Sequence, residues 1–341
     1  MATITEVAHR AGVSIASVSL VVNDPETRRV SSIKRAKILA VATEMGYTPN
    51  RHAKALLNKQ TQVIGLVLPM RDPVVINDYI AEALSGVQSA CTERGYNLMI
   101  YPHRSHTGKI TPAELLQSRF SDGLIFMHTR LCTAKDIDAT IAALNQEGRH
   151  FVMLNSHGQT SDFNSVGVDD EDIGRRGAEF LIHRGHREIA FIGGVKRSPS
   201  APMFARGFRQ GLKTAGIRHS KDLETYSEFS TDRISEAILQ WLKRKPRPTA
   251  IMCAYDQIVP DVYQILRQGN LKIPTDVAVL SRGDLPLASY LYPSLTTFHV
   301  PIVQMGRQAA ELLFTQLDQR GSTPACQQIL LPCPLVKRES V

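Results

Sequence analysis

Two hydrophobic periodicities divide the chain. Over the first sixty residues apolar positions recur at helical spacing in short stretches. From Val63 onward, β-branched and aliphatic runs alternate with amphipathic stretches of ten or more residues. In the first region Thr3-Ile-Thr-Glu6 fits a capping box, and Gly12 can end that helix in a left-handed turn. Ser14 can cap a second helix at once, because its hydroxyl accepts from the free N–H groups of the first turn. Val7, Ala8, Ala11, Val13, Val18 and Val21 then face one another. A short helix led by small polar residues after a tight turn is the pattern of a DNA-reading helix-turn-helix, and a plain helical hairpin shares it. Ser31 or Ser32 caps a third helix running to Met45, with Ile33, Ala36, Leu39, Ala40 and Thr43 at helical spacing and Gly46 as its stop.

Pro49 interrupts any continuation of that helix. Residues 50 to 57 have enough length for two helical turns, which are marginal alone in water, so a solvated linker is the plainer reading. The strand-like runs beyond are Val63–Pro69, Asn97–Tyr101, Gly123–Met127, Phe151–Leu154, Ser165–Val168, Ile189–Gly193, Ala250–Ala254, Val277–Leu280 and Thr296–Val300. Between them lie helices at Ile80–Arg94, Ile173–Arg184, Met203–Ala215, Ser235–Lys243, Ile258–Gln268 and Val303–Gln319. The alternation predicts βαβ units and mainly parallel sheets. Nine strands exceed a comfortable single doubly wound domain, so two lobes are expected, with a ligand beyond the strand ends or between the lobes.

Charge sharpens the division. The chain of 341 residues carries a formal charge of +8, and nine Lys and Arg against four Asp and Glu fall in residues 1–60. Basic excess in a small terminal module favours a polyanion partner through counterion release. The start has no basic stretch followed by an apolar run, and no window reaches the length of a membrane span, so a cytoplasmic protein is expected. Cys91, Cys132, Cys253, Cys326 and Cys333 are odd in number and lack zinc spacing, which fits reduced thiols. His183 and His186 bracket a helix end and suit capping better than metal binding; Trp241 shares its helix face with Ile238 and Leu242. No Gly-x-Ser-x-Gly, His-Glu-x-x-His, Gly-x-Gly-x-x-Gly or P-loop pattern occurs, so no enzyme, cofactor or metal site is expected.

The chain resembles the lactose/galactose repressor family of bacterial transcription regulators. The resemblance rests on Thr3-Ile-Thr-Glu-Val-Ala-His-Arg-Ala-Gly-Val-Ser14, Ala16-Ser-Val-Ser19, Gly46-Tyr-Thr-Pro-Asn50 and Ile64-Gly-Leu-Val67. It continues through Ser165-Val-Gly-Val-Asp169, His183–Gly194, Arg247-Pro-Thr-Ala250, Ile273-Pro-Thr-Asp-Val277 and Leu295-Thr-Thr297. It implies an all-α helix-turn-helix DNA-binding domain at 1–47, a hinge helix or linker at 48–61, and an α/β two-lobed core like periplasmic binding proteins at 62–341. The expected lobes are about 62–160 with 294–320, and about 163–290 with 323–341. The implied action is that of a DNA-binding repressor: a homodimer on a palindrome of double-stranded operator DNA, modulated by a sugar-like small-molecule effector in the interlobe cleft. No membrane is involved.

The resemblance also implies site residues. Ile15, Ala16 and Leu20 take the base-reading positions, and Thr5, Ser14, Ser17, Ser19 and Asn23 accompany them, the serines and Asn23 as phosphate contacts. Many relatives carry Arg where this chain has Leu20, so a bidentate guanine contact is lost and apolar contact with a thymine methyl remains. Alternatively, Leu20 packs beneath its helix. Asn50, Ala53 and Leu56 fall in the hinge, Leu56 as a wedge into the minor groove. The implied effector residues are Tyr79, Asn155, Phe204, Tyr255, Asp256 and Asp284. Several depart from the family: Phe204 replaces an Arg, Tyr255 an Asn, Asn155 an Asp, and Ser281-Arg-Gly-Asp284 lacks one carboxylate. Fewer charges and more ring surface suggest a less hydroxylated effector, or a site without one. With no heptad helix after Leu335-Val-Lys-Arg338, a dimer rather than a tetramer is expected. A solute-binding protein of a transport system is the alternative, which the basic N-terminal module disfavours.

Overall fold

The computed structural model describes residues 2–48, 60–69, 78–103, 120–127, 134–148, 150–155, 162–228, 230–319 and 325–341. Two compact units emerge, Met1–Gln62 and Val63–Val341. The first holds helices α1 (Ile4–Ala11), α2 (Ile15–Asn23) and α3 (Ser32–Glu44). Their core is Val7, Ala8, Ala11, Val18, Val21, Val30, Ile38 and Ala42. The expected apolar stripe of α3 is corrected: Ile33 is 82% exposed, and Ile38 and Ala42 face α1 and α2 instead. Apolar residues lie on more than one side of this helix, and the Arg35 guanidinium donating to the Thr27 carbonyl at 3.0 Å holds the turn before it to its polar side.

The second unit contains two six-stranded sheets. Its strands are β1 (Val63–Pro69), β2 (Asn97–His103), β3 (Gly123–Met127), β4 (Phe151–Leu154), β5 (Asn164–Val168), β6 (Ile189–Gly193), β7 (Glu224–Tyr226), β8 (Ala250–Cys253), β9 (Ala278–Gly283), β10 (Thr296–His299), β11 (Gln328–Leu331) and β12 (Leu335–Val336). The first sheet runs β11-β5-β4-β3-β1-β2 and the second β12-β10-β9-β8-β6-β7. All pairings are parallel except β10 with β12. The central strands β3, β4, β5, β6 and β8 are buried throughout, as sheets covered on both faces require.

The covering helices are α4 (Asp78–Glu93), α5 (Ala134–Gln146), α6 (Asp170–His183), α7 (Ser200–Thr214), α8 (Thr231–Leu242), α9 (Val259–Gln268), the short α10 (Leu287–Tyr290) and α11 (Ile302–Asp318). Two helix pairs meet backbone to backbone. In the α4–α11 pair a Cβ on Gly86 would lie 2.0 Å from the Val303 carbonyl oxygen, and in the α6–α7 pair one on Gly207 would lie 1.9 Å from that of Glu171. Trp241 is buried, its indole N–H donating to the Asp222 carbonyl at 2.7 Å, so its role is packing. Among the described residues no helix is long and apolar enough to cross a membrane.

All nine expected runs are strands, but two of them, with one unexpected strand, change the lobe boundaries. The second lobe was expected to begin near 163 and the first to resume at 294. Instead β5 belongs to the first sheet and β10 to the second, while β11, expected in the second lobe, pairs with β5 in the first. A short buried run suits either sheet, and only backbone pairing decides which one receives it. The unexpected strands β7, β11 and β12 are short, partly exposed edges, and none has more than three apolar residues in a row. The helix missing from the expectation, α5, carries Ile137, Ile141 and Leu144 at helical spacing, a signal that was present in the chain.

Candidate functional site

The first unit presents one face of α2. Thr3 Oγ1 accepts from the Glu6 N–H at 3.3 Å and Glu6 Oε2 accepts from the Thr3 N–H at 2.8 Å, closing the capping box. These bonds hold the Glu6 carboxyl below its usual range. Gly12 turns the chain at φ 67°, and Ser14 Oγ accepts from the Ser17 N–H at 3.2 Å to start α2. Val18 and Val21 anchor the helix inward. On the opposite side Ile15 is 48% and Leu20 37% exposed, with Ala16 exposed beside them. Leu20 therefore does not pack under its helix. Thr5, Ser14 and Asn23 are exposed, and Ser17 and Ser19 half-buried. The Asn23 amide donates to the Ser19 carbonyl at 2.8 Å, which stiffens the end of α2. Lys34 lies with Ser14 and Ser17 along one shallow depression, so a cation borders the reading face. Asn50, Ala53 and Leu56 lie outside the described residues, as does most of the expected hinge.

The second unit holds a cavity of about 110 Å³. Four of its walls follow strand ends: Asn155 after β4, Gly194 and Val195 after β6, Ala254 and Tyr255 after β8, and Arg282 and Gly283 ending β9. Carboxyl ends of parallel strands are where such sheets bind ligands, because the chain there leaves the ladder and frees side chains and backbone. Tyr79 and Ile80 contribute from α4, and Ser200, Ala201 and Phe204 from α7. Four of the six implied effector residues thus meet: Tyr79, Asn155, Phe204 and Tyr255.

Each has a local reason for its pose. Asn155 adopts φ 59°, which Asn tolerates better than most residues, and its buried Oδ1 has no partner. Tyr255 lies where Gly194 has no side chain, since a Cβ there would come 2.7 Å from the ring, and its hydroxyl is 2.9 Å from Ser227 Oγ. Burial raises the Tyr79 phenol well above its ordinary range, so it stays protonated. Phe204 is 1% exposed and belongs to a ring cluster, 5.5 Å from Phe191.

The other two implied residues are corrected. Asp256 does not line the cavity: it is fully buried, accepting from the Thr297 hydroxyl at 2.8 Å and the Leu285 N–H at 3.0 Å. It braces the segment that carries Gly283 and Leu285, and burial pushes its carboxyl up. Gly283 permits this, at φ 147° and with a virtual Cβ only 2.9 Å from Asp256 Oδ2. Asp284 points elsewhere, accepting from Arg338 at 2.7 Å and lying 3.1 Å from His299 Nδ1. Alternation along a strand end separates neighbours onto opposite sides, so a motif's carboxylates need not share a site.

Arg282 was missed as a site residue. It lines the cavity with one amino group 2.9 Å from Asp170 and its guanidinium carbon 5.9 Å from the centre of the Phe204 ring. Its position at the carboxyl end of a buried strand was the available signal. Ser198, Ser200 and Gln257 join it and carry no motif.

Comparison with known proteins covers both units. Residues 3–50 match the description "Bacterial regulatory proteins, lacI family", and residues 178–341 match "Periplasmic binding protein-like domain". The ribose operon repressor of Escherichia coli (strain K12) is 31% identical, the alignment covering 96% of this chain and 96% of that protein. The regulator DegA of Bacillus subtilis (strain 168) is 31% identical over 99% of this chain and 97% of its own length. Among solved structures, a lac repressor dimer bound to operator and the anti-inducer ONPF is similar with a TM-score of 0.85 at 28% identity, covering 99% of this chain and 98% of that one. A complex of the transcriptional regulator CelR with cellobiose matches with a TM-score of 0.73 at 26% identity over the whole of both chains.

Proposed function

Because the chain belongs to the LacI family of bacterial regulatory proteins, joining a helix-turn-helix DNA-binding domain to a periplasmic-binding-protein-like core, we propose that it is an operator-specific repressor acting as a homodimer in the cytoplasm. The observation that carries the reading is the outward face of α2, where Ile15, Ala16 and Leu20 stand exposed on a helix closed behind by Val18 and Val21. Its first turn meets base edges, while Thr5, Ser14, Ser17, Ser19 and Asn23 face sugar and phosphate. Leu56 is the minor-groove wedge, with Asn50 and Ala53 on the same segment, linking DNA binding to pairing of two chains. Exposed Tyr290 and Tyr292, with Met99 and Ile100 on the edge strand β2, supply apolar surface for that pairing.

The cavity is the effector site. Tyr79 and Asn155 come from elements of the first sheet's lobe and Tyr255 and Arg282 from the second, so an occupant that prefers one spacing of the walls shifts the lobes' equilibrium. A solute-binding protein would have no use for an exposed reading helix.

Selection of binding sites from random DNA by the full chain and by Leu20→Arg tests the DNA half. A palindrome should emerge. Leu20→Arg should move the preference at one position per half-site toward guanine, by about 1–3 kcal/mol of discrimination. An unchanged consensus would remove Leu20 from the base-reading set.

A further inference from the structure

Among the described residues that line the cavity, Arg282 alone is charged, and the two carboxylates that the sequence suggested for it, Asp256 and Asp284, are committed to the surrounding frame. Arg282 gives one amino group to Asp170, while its buried Nε has no partner. A guanidinium presents donors in a planar fork, so a second planar acceptor fits beside the first. At the rim, Lys196 and Arg197 are exposed between the lining residues Val195 and Ser198. The Lys196 backbone N–H donates to Glu228 at 2.9 Å, and the ammonium of the same residue lies 5.6 Å from the centre of the Tyr226 ring.

The rest of the described wall combines aromatic and aliphatic residues with the neutral polar side chains of Ser198, Ser200 and Gln257. Phe204 and Tyr255 offer ring surface, and the Tyr255 hydroxyl is already engaged with Ser227. Asn155, across from Arg282 on the other sheet's lobe, has a buried amide oxygen without a partner. An Asn amide offers a donor as readily as an acceptor by rotation, so it serves an anion where an Asp would repel one. A polyhydroxylated sugar needs several acceptors for its hydroxyl protons, and the described residues of the wall include no carboxylate to supply them.

We propose that the cavity takes a small monocarboxylate with a flat, weakly hydroxylated body, its carboxylate on Arg282 and Asn155 and its face against Phe204 and Tyr255. This rests on the reading of the cavity as the effector site, and deepens it by naming the ligand class.

The test uses the full chain with benzoate and nicotinate, their neutral isosteres benzamide and nicotinamide, and ribose and glucose. Calorimetric titration reads binding, and fluorescence anisotropy on the selected operator reads its effect. At least one carboxylate should bind at least roughly tenfold tighter than its amide, the scale of a charge-assisted bond. Arg282→Lys keeps a cation beside Asp170 but loses the fork, and should erase that preference. Asn155→Asp, a near-isosteric change at a φ that Asp tolerates, should weaken the carboxylate at least roughly tenfold and leave the amide unchanged. Ribose or glucose binding in place of the carboxylates, with an effect on operator affinity, would overturn the ligand class and keep the effector reading. Carboxylate binding sensitive to Arg282→Lys but without effect on DNA would keep the class and overturn the effector reading. If no probe binds, the proposed class falls.

Discussion

The two lobes of the core solve the same packing problem and are equipped differently. Strand for strand, β2-β1-β3-β4-β5-β11 repeats as β7-β6-β8-β9-β10-β12, and a glycine-mediated helix pair accompanies each, α4 with α11 and α6 with α7. Symmetry fails at the last strand, where β11 runs parallel to β5 and β12 antiparallel to β10. It fails again in chemistry. The buried carboxylates Asp170 and Asp256 both belong to the second lobe, as do most residues of the cavity wall. Among the described residues the first lobe supplies Tyr79, Ile80 and Asn155. A duplicated scaffold is thus equipped unequally among its described residues.

The largest effects should come from the helix pairs. Gly86→Ala and Gly207→Ala each place a methyl group against a facing carbonyl, so each should lower stability by about 1–3 kcal/mol or more in thermal melts. Each should also weaken ligand binding, because Gly86→Ala displaces the helix that carries Tyr79 and Gly207→Ala the one that carries Phe204. A silent Gly86→Ala would break the equivalence of the two pairs.

Asp256→Asn tests whether the second lobe's wall depends on a brace. The amide can accept only one of the two bonds, and the loss should be about 1–3 kcal/mol by denaturant unfolding. Burial raises this carboxyl's pKa, so the folded protein holds the proton more tightly than the unfolded chain does. Its contribution is complete below the ordinary aspartate value of 3.8 and declines as pH rises through the raised folded value. The stability gap between wild type and Asp256→Asn should therefore widen toward acid pH; a gap that narrows there would reverse the assignment. The smallest effect is expected for Tyr255→Phe, about 0.5–1.5 kcal/mol from the lost bond to Ser227, with the ring and its contacts retained. A larger loss would make the hydroxyl, rather than the ring, the part of Tyr255 that matters.

Much was legible from local chemistry alone. The capping box at Thr3 and Glu6, the Gly12 turn and the Ser14 cap involve residues within a few positions of one another, so the chain itself specifies them. Runs such as Phe151–Leu154 read as buried strands because they are too short for a buried helix and alternate with amphipathic stretches. The family resemblance, not local chemistry, named Tyr79, Asn155, Phe204 and Tyr255, which line one cavity. Tertiary structure decided the rest. The sheets claim β5, β10 and β11 by backbone pairing, to which apolar composition is blind. Whether a polar side chain faces the cavity or the frame depends on partners distant in sequence: Thr297 takes Asp256, Arg338 takes Asp284, and Asp170 aligns Arg282. Those bonds cross 41, 54 and about a hundred residues of chain, so no local pattern could record them.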